Sequence, residues 1–348
     1  MGEENNKSGK VSWRCPSNIA LVKYWGKYGR QYPKNPSISF TLSHAHTTTS
    51  VDYEYNEEKS DEVALTFKFE GASKPAFENK IKKFLDSIRD VYPLIAHLKL
   101  NIESSNSFPH SSGIASSASS MAALSMCLLS IQKEIHGDEK LDINKASNIA
   151  RLGSGSAARS VYPELSVWGH TDHVKNSSND YAIEYTDGID PIFKTFHDDI
   201  LIVSAEEKSV SSRAGHALME NNPYSAARFA QANDHLSVII KAMQEGDLDT
   251  FGLIVEKEAL TLHALMMASD PPYILLEPNT LNIIREIQKF RSENKVPVYF
   301  TLDAGPNIHM LYPEEYKSEV VSLKQSLRTY CVNGKIIEDK VGQGPESL

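Results

Sequence analysis

The chain has 348 residues, 41% hydrophobic and 23% charged, with 36 Lys+Arg against 45 Asp+Glu for a formal charge of −9. That length suits two domains of roughly 100–200 residues better than one, and the acidic balance argues against general nucleic-acid or anionic-membrane binding while leaving room for an anionic small ligand met by a few local cations. Three scattered cysteines, Cys15, Cys127 and Cys331, show no zinc spacing and fit a reducing cytosol, and with no signal-peptide core and no apolar run of about 18 residues a transmembrane helix is not expected.

From the N-terminus, MGEENNKSGK reads as a disordered arm over residues 1–10. Val11 to Thr66 is strand-like, and SISFTLSHAHTTTSVDYEY alternates as an antiparallel hairpin or meander would. FENKIKKFLDSIRDV places Phe77, Ile81, Phe84, Leu85 and Ile88 on one helical face. HLKLNIES alternates Leu98, Leu100 and Ile102 with Lys99, Asn101 and Glu103, a half-buried strand. The Ser/Gly-rich stretch that follows leads into a helix expected to begin near Ile114 to Ala118 and to bury Ala118, Met121, Ala122, Ser125, Leu128 and Leu129. INKASNIARLGSGSAARS predicts a second helix broken by its glycines. His170 to Phe196 is polar, and a domain junction near its end divides the chain into lobes 11–197 and 198–348. DDILIVSAE then reads as a buried strand. Helices follow at about Tyr224–Gln244, Leu248–Ala268 and Leu281–Glu293, and VPVYFTLD is a strand ending at Asp303. Strands mixed with long helices, without a βαβ rhythm or repeats, indicate an α+β fold.

Four stretches carry candidate chemistry. In SSNSFPHSSGIASSASSMAALSMCLL, backbone N–H groups, a helix N-terminus and serine hydroxyls favour an anion, and Gly113 allows close backbone approach. The Walker pattern is absent from the chain, so this is either a different phosphate cradle or a Ser-rich helix cap. In SNIALVKYWGK, Lys23 and Lys27 flank Tyr24 and Trp25. On an extended segment the two cannot both face inward with Ala20 and Val22, so one meets a substrate while the other is solvated, or both lie on the surface. In GSGSAARS, Ser154, Ser156 and Arg159 surround flexible backbone, and Arg offers a two-point donor to carboxylate or phosphate. In FTLDAGPN, Asp303 sits at a strand end, where a carboxylate serves either as a catalytic group on a rigid base or as a turn cap. VSSRAGH (Ser211, Ser212, Arg213) is a fifth, weaker candidate. GHTDH (His170, Asp172, His173) has metal-like residue types but reads as a loop, so no metal ligands are assigned to the protein.

The order NIALVKYWGK, NPSISFTLS, SNSFPHSSGIASSASSMAAL, RLGSGSAARS and LDAGPN resembles the diphosphomevalonate decarboxylases, part of the group of small-molecule kinases that includes galactokinase, homoserine kinase and mevalonate kinase. The resemblance runs from about Val11 to the closing GQGPESL. It implies an N-terminal lobe like the second domain of ribosomal protein S5, a ferredoxin-like C-terminal lobe and an active site between them. It also implies the ATP- and Mg2+-dependent conversion of (R)-5-diphosphomevalonate to isopentenyl diphosphate, ADP, phosphate and CO2. On this resemblance Asp303, Lys23 and Arg159 are the catalytic set. Asn18, Tyr24, Trp25, Gly26, Lys27, Ser154, Gly155, Ser156, Ala157, Ala158, Ser212 and Arg213 hold the substrate. Ser105, Asn106, Pro109, Ser111, Ser112, Gly113, Ala115, Ser116 and Ser117 cradle ATP. A cytoplasmic enzyme and a homodimer are further implications.

There are departures. Pro163 and Glu164 stand where the family has two glycines, and FPHSSG, with His110, stands where it has Pro-Thr-Ala-Ala-Gly. The competing readings are a decarboxylase acting on the monophosphate, a kinase that stops after phosphoryl transfer, and a ligand-binding pseudoenzyme. Retention of Asp303, Lys23 and Arg159 argues against the last two.

Overall fold

The computed structural model of the chain describes residues 7–108, 116–206 and 210–348. The N-terminal half holds β1 (Ser8–Val22), a short hairpin of β2 (Lys27–Tyr28) and β3 (Tyr32–Pro33), β4 (Ser37–Tyr55), β5 (Ala64–Phe69), β6 (Ala72–Ser73), α1 (Pro75–Ser87), β7 (Leu98–Asn106), α2 (Ser116–His136), α3 (Ile143–Gly153), β8 (Leu165–Trp168) and β9 (Ala182–Glu184). The C-terminal half holds β10 (Phe196–Leu201), α4 (Ser212–Leu218), α5 (Ser225–Glu245), α6 (Leu248–Met267), α7 (Pro278–Asn294), β11 (Tyr299–Leu302), β12 (Ile308–Pro313), α8 (Lys317–Leu327), β13 (Ile336–Lys340) and β14 (Glu346–Ser347).

Among the described residues, one sheet runs β14-β1-β4-β7-β5-β6 with β8 and β9 added beside β4, and a second runs β11-β12-β10-β13. Pairing is antiparallel throughout except between β5 and β7. This is the expected α+β architecture. The alternation read in Leu98–Ile102 matches β7, where Leu98, Leu100 and Ile102 are buried and Lys99, Asn101 and Glu103 exposed. Those side chains share a core with α1, α2 and α3, including Ile81, Leu85, Ala118, Ala122 and Ile149. Gly246, at φ +71°, ends α5 in a left-handed turn, and the Asp247 side chain then caps α6 by accepting from the Thr250 N–H.

Two expectations are corrected. The arm is shorter than residues 1–10, because Ser8, Gly9 and Lys10 already pair with Glu54, Tyr53 and Asp52. The stretch Ser37–Tyr55 is one 19-residue strand rather than a hairpin or meander. It contains neither glycine nor proline at which to reverse. In place of a turn, its register against β1 shifts between Pro16↔His46 and Asn18↔Thr41. The residues bulged there are taken up by the C-terminal half. Fully buried Asp339 on β13 accepts from the N–H groups of Ser43, His44 and Ala45 at 2.8, 2.8 and 2.6 Å, and Leu42 bridges to Val341.

The halves also share a core. Ile19, Phe40 and Leu165 from the first sheet pack in one buried cluster with Phe193, Phe196, Phe251 and Tyr299. The long strand β1 therefore delivers Lys23, just past its C-terminal end, to the junction of the two halves.

Candidate active site

Lys23 follows the last residue of β1 and is only 2% exposed, yet its Nζ lies 3.1 Å from Oδ1 of Asp303, which is 29% exposed. Asp303 follows β11. Its carbonyl accepts from the Gly305 N–H at 2.8 Å and from Nε2 of His263 on α6 at 3.1 Å, which holds the turn that aims the carboxylate. Burial lowers the Lys23 pKa below the ordinary lysine value, and the Asp303 carboxylate opposes that shift.

Arg159 is reached by a different route. Helix α3 ends at Gly153, Ser154 is extended, and a seven-residue 3-10 segment covers Gly155–Val161. Arg159, buried in that segment, donates from Nε to Asn18 Oδ1 at 3.2 Å and from Nη1 to Ser37 Oγ at 2.6 Å. Two of its five N–H groups thus anchor the guanidinium, which sits 6.0 Å from the Trp168 ring. Burial lowers its pKa to about 10, opposed by Asp303. Asn18, at the β1 bulge, ties the segment down by donating to Ser160 Oγ at 2.7 Å and to the Ser156 carbonyl at 3.1 Å. A Cβ at Gly155 would stand 2.8 Å from the Tyr24 hydroxyl and 2.9 Å from the Trp168 ring, so only glycine lets the chain pass there.

These groups line one cleft of about 860 Å3 with walls from both halves: Lys23, Asn18 and Arg159 on one side, Asp303, Ala304 and Leu262 on the other. At one end lie Lys27, which bonds Gln31 at 2.7 Å, and exposed Ser212 and Arg213. Burial and then the nearby Arg213 cation lower the Lys27 pKa, so two positive groups crowd this end. His216 also lines the cleft, its ring 4.3 Å from Tyr24 and 4.5 Å from Trp25. The Gly26 N–H donates to its Nδ1 at 2.9 Å, which places the neutral ring's proton on Nε2. Burial, then Lys27, lowers its pKa to about 3. At the other end, Ser116 and Ser117 begin α2, Ser117 Oγ lies 3.1 Å from Ser154 Oγ, and Lys80 and Lys83 of α1 form the rim.

The cleft thus brings together Asp303, Lys23, Arg159, Asn18, Tyr24, Trp25, Lys27, Ser154, Gly155, Ser156, Ser212, Arg213, Ser116 and Ser117. Gly26 reaches it through its bond to His216. Ala157 and Ala158 do not line it; they are fully buried in the core shared with α2 and α3, because the 3-10 turn points them inward. Ser105 and Asn106 also stand outside the lining, paired in the sheet with Thr48 and Thr47. Pro109, His110, Ser111, Ser112, Gly113 and Ala115 lie outside the described residues. Glu164 adopts the left-handed φ of +48° that a glycine would favour, held by backbone bonds from Thr41 and to Gly342, with its carboxylate 2.8 Å from Lys194. His216, Lys80, Lys83 and Gln31 are lining residues that sequence reading missed, and only a helical-face argument linking Lys80 and Lys83 to α1 could have flagged any of them.

The donor set fits a nucleotide with its cation. Serine hydroxyls at a 21-residue helix start and two rim lysines suit phosphate oxygens. Among the described residues no three His, Cys, Asp or Glu side chains converge on a metal position. A two-halved α+β chain whose cleft sets a carboxylate–amine pair beside a phosphate-suited helix start has the architecture of the small-molecule kinase group that includes galactokinase, homoserine kinase and mevalonate kinase. Within it, residues 15–180 match the diphosphomevalonate decarboxylase-like N-terminal domain and residues 199–348 the mevalonate 5-diphosphate decarboxylase C-terminal domain. The chain belongs to the diphosphomevalonate decarboxylase family. It is 30% identical to the diphosphomevalonate decarboxylase of Candida albicans, over 90% of this chain and 87% of that one. It is 29% identical to the phosphomevalonate decarboxylase of Haloferax volcanii, over 86% and 87%. It also superposes on the structure of MDDEF in complex with MVAPP, AMPPCP and magnesium with a TM-score of 0.82, at 27% identity, covering 98% of this chain and 99% of that one.

Proposed function

We infer that the protein is an ATP-dependent decarboxylase of the mevalonate pathway that converts (R)-5-diphosphomevalonate to isopentenyl diphosphate, with release of ADP, phosphate and CO2. The observation that carries the reading is the 3.1 Å contact between buried Lys23 and Asp303 on a cleft that Arg159 also lines. Asp303 accepts the proton of the substrate's tertiary 3-hydroxyl. Lys23 keeps that carboxylate ionised and offsets negative charge gathering on the oxygen as it is phosphorylated. ATP, held with Mg2+ at the Ser116–Ser117 end, supplies the phosphoryl group that makes the hydroxyl a leaving group. Arg159, pre-oriented by Asn18 and Ser37, binds the substrate carboxylate and keeps it ionised. When phosphate departs with the C3–O electrons, the pair of the bond to the carboxylate fills the alkene and CO2 leaves.

Lys27, Arg213 and Ser212 hold the phosphate tail. The mutual repulsion of Lys27 and Arg213 is relieved better by a diphosphate than by a monophosphate. Similarity to the Haloferax volcanii enzyme supports a second reading, the same chemistry on the 5-phosphate. Among the described residues no helix is long and apolar enough to cross a membrane. We place the enzyme in the cytoplasm on its free cysteines and as a homodimer on family resemblance.

The test supplies ATP and Mg2+ with mevalonate, its 5-phosphate or its 5-diphosphate and follows ADP and CO2 together. Equal release of both with the 5-diphosphate is the expected result. ADP without CO2 would mean a simple kinase, preference for the 5-phosphate would move the substrate to the second reading, and neither product would overturn the assignment.

A further inference from the structure

Behind the cleft lies an ion pair that the reaction as drawn does not use. Arg228 of α5 and Glu258 of α6 are 1% and 0% exposed and meet through two bonds of 2.6 Å. Burying such a pair gains little stability by itself, since removing two charges from water costs about as much as their attraction returns. Nor is this one arranged for its own sake: among the described residues Arg228 Nε has no hydrogen-bond partner. Beyond one bond from Arg228 Nη1 to Gln231 Oε1 at 3.2 Å, the pair's two outward bonds to backbone both go to the main chain of one residue. Glu258 Oε2 accepts the Lys23 N–H at 2.7 Å, and Arg228 Nη2 donates to the Lys23 carbonyl at 2.9 Å, where Asn35 Nδ2 adds a third bond at 2.9 Å. His235 Nδ1, at 2.6 Å from Oε1, braces the far side of the carboxylate. Burial would raise the Glu258 pKa, but His235, Arg228 and the Lys23 amide together hold it at about 2, so the carboxylate stays charged.

Lys23 sits where β1 has just ended, so the sheet no longer supplies partners for its backbone. Five residues further along α6, His263 donates to the Asp303 carbonyl. One helix therefore bears on both members of the Lys23–Asp303 contact. We propose that the buried Arg228–Glu258 pair is a positioning device for Lys23, clamping its N–H and C=O so that its ammonium remains at Asp303. The kinetic part of the proposal rests on the decarboxylase reading; the clamp itself does not.

The test replaces the pair with apolar side chains of similar size, Arg228→Met with Glu258→Leu, a change that buried ion pairs commonly tolerate. Thermal melting and circular dichroism establish that the variant folds. The expected result is a fall in kcat of about 10–100-fold with KM for substrate within about 2-fold, because misplacing a reacting group slows chemistry without weakening ground-state binding. Hydrogen exchange at the Lys23 amide is expected to quicken at least about 10-fold while amides of Val11–Cys15 keep their protection. If the double variant fails to fold, Arg228→Lys, which keeps the charge beside Glu258 but lacks a second arm for the Lys23 carbonyl, is expected to lose about 3–10-fold in kcat with KM unchanged. A folded variant with wild-type kcat and unchanged Lys23 exchange overturns the proposal. So does exchange that quickens uniformly along β1 and α6, which marks a purely structural pair. A wild-type enzyme without turnover sinks the decarboxylase reading instead and leaves the amide measurement to decide the clamp.

Discussion

Asp303 carries a prediction that separates proton removal from nucleotide binding. Asp303→Asn keeps the shape and loses the proposed base, and it leaves Lys23 facing a neutral amide. Turnover is expected to fall by at least about 10²-fold, while nucleotide affinity, measured by fluorescence titration, stays within about 2-fold because the serines and lysines suited to phosphate are unchanged. Full activity in that variant would remove Asp303 from the role of base. His216 gives a prediction about stability. Its folded pKa, about 3, lies below the ordinary value of 6.5 because burial, then Lys27, disfavours the imidazolium. Between those values the unfolded chain binds the proton more readily, so the residue's contribution is intact above pH 6.5 and is lost as pH falls toward 3, at up to about 1.4 kcal/mol per unit. Replacing it, His216→Gln, is expected to flatten the dependence of Tm on pH between 4 and 6; an unchanged slope would show that other groups govern acid unfolding. Lys23, Arg159 and Asp303 were legible in the sequence because each sits in a motif with distinctive neighbours. His216, Arg228 and Glu258 were not, since a charged or polar residue within a helical pattern reads as solvated until its tertiary partners are known.

Helix positions came through the sequence well where caps were explicit, as for α6, with Gly246 and Asp247 before it. The long strand β4 was misread because alternation reports which face is buried and not whether the chain turns. Its bulge is taken up by Asp339, some 300 residues away, a partner no local pattern reveals. Similarly, Ala157 and Ala158 share a motif with Arg159 but face the opposite way, because a 3-10 turn distributes successive side chains around its axis. The packing of α6 on β11 supplies the prediction at this scale. A Cβ on Gly252 would collide with the Tyr299 ring, so Gly252→Ala must push the helix off the strand. A loss of about 1–3 kcal/mol is expected, read as a lower denaturant midpoint, together with a drop in kcat, since Glu258 and His263 ride on the same helix. A variant as stable and active as wild type would show that the contact yields without moving α6.

For the molecule as a whole, the polar run from His170 to Phe196 suggested a junction near its end; the matched family models run over residues 15–180 and 199–348. What sequence could not convey is how closely the halves are joined. Phe40 of the first sheet packs 5.6 Å from Phe196 and 6.1 Å from Phe251, ring to ring. A shared apolar core couples unfolding of the parts that contribute to it. Calorimetry is therefore expected to show one thermal transition, coincident with loss of near-UV circular dichroism, and two resolved transitions would show that the halves melt independently.

That same aromatic seam bears on how ligands come and go. Swinging the halves apart like jaws would expose Phe40, Phe193, Phe196 and Phe251 to water all at once, at roughly 1.5–3 kcal/mol for each ring uncovered. The two banks of the gap are thus riveted together at the back, so a jaw-like parting of the halves works against the aromatic seam.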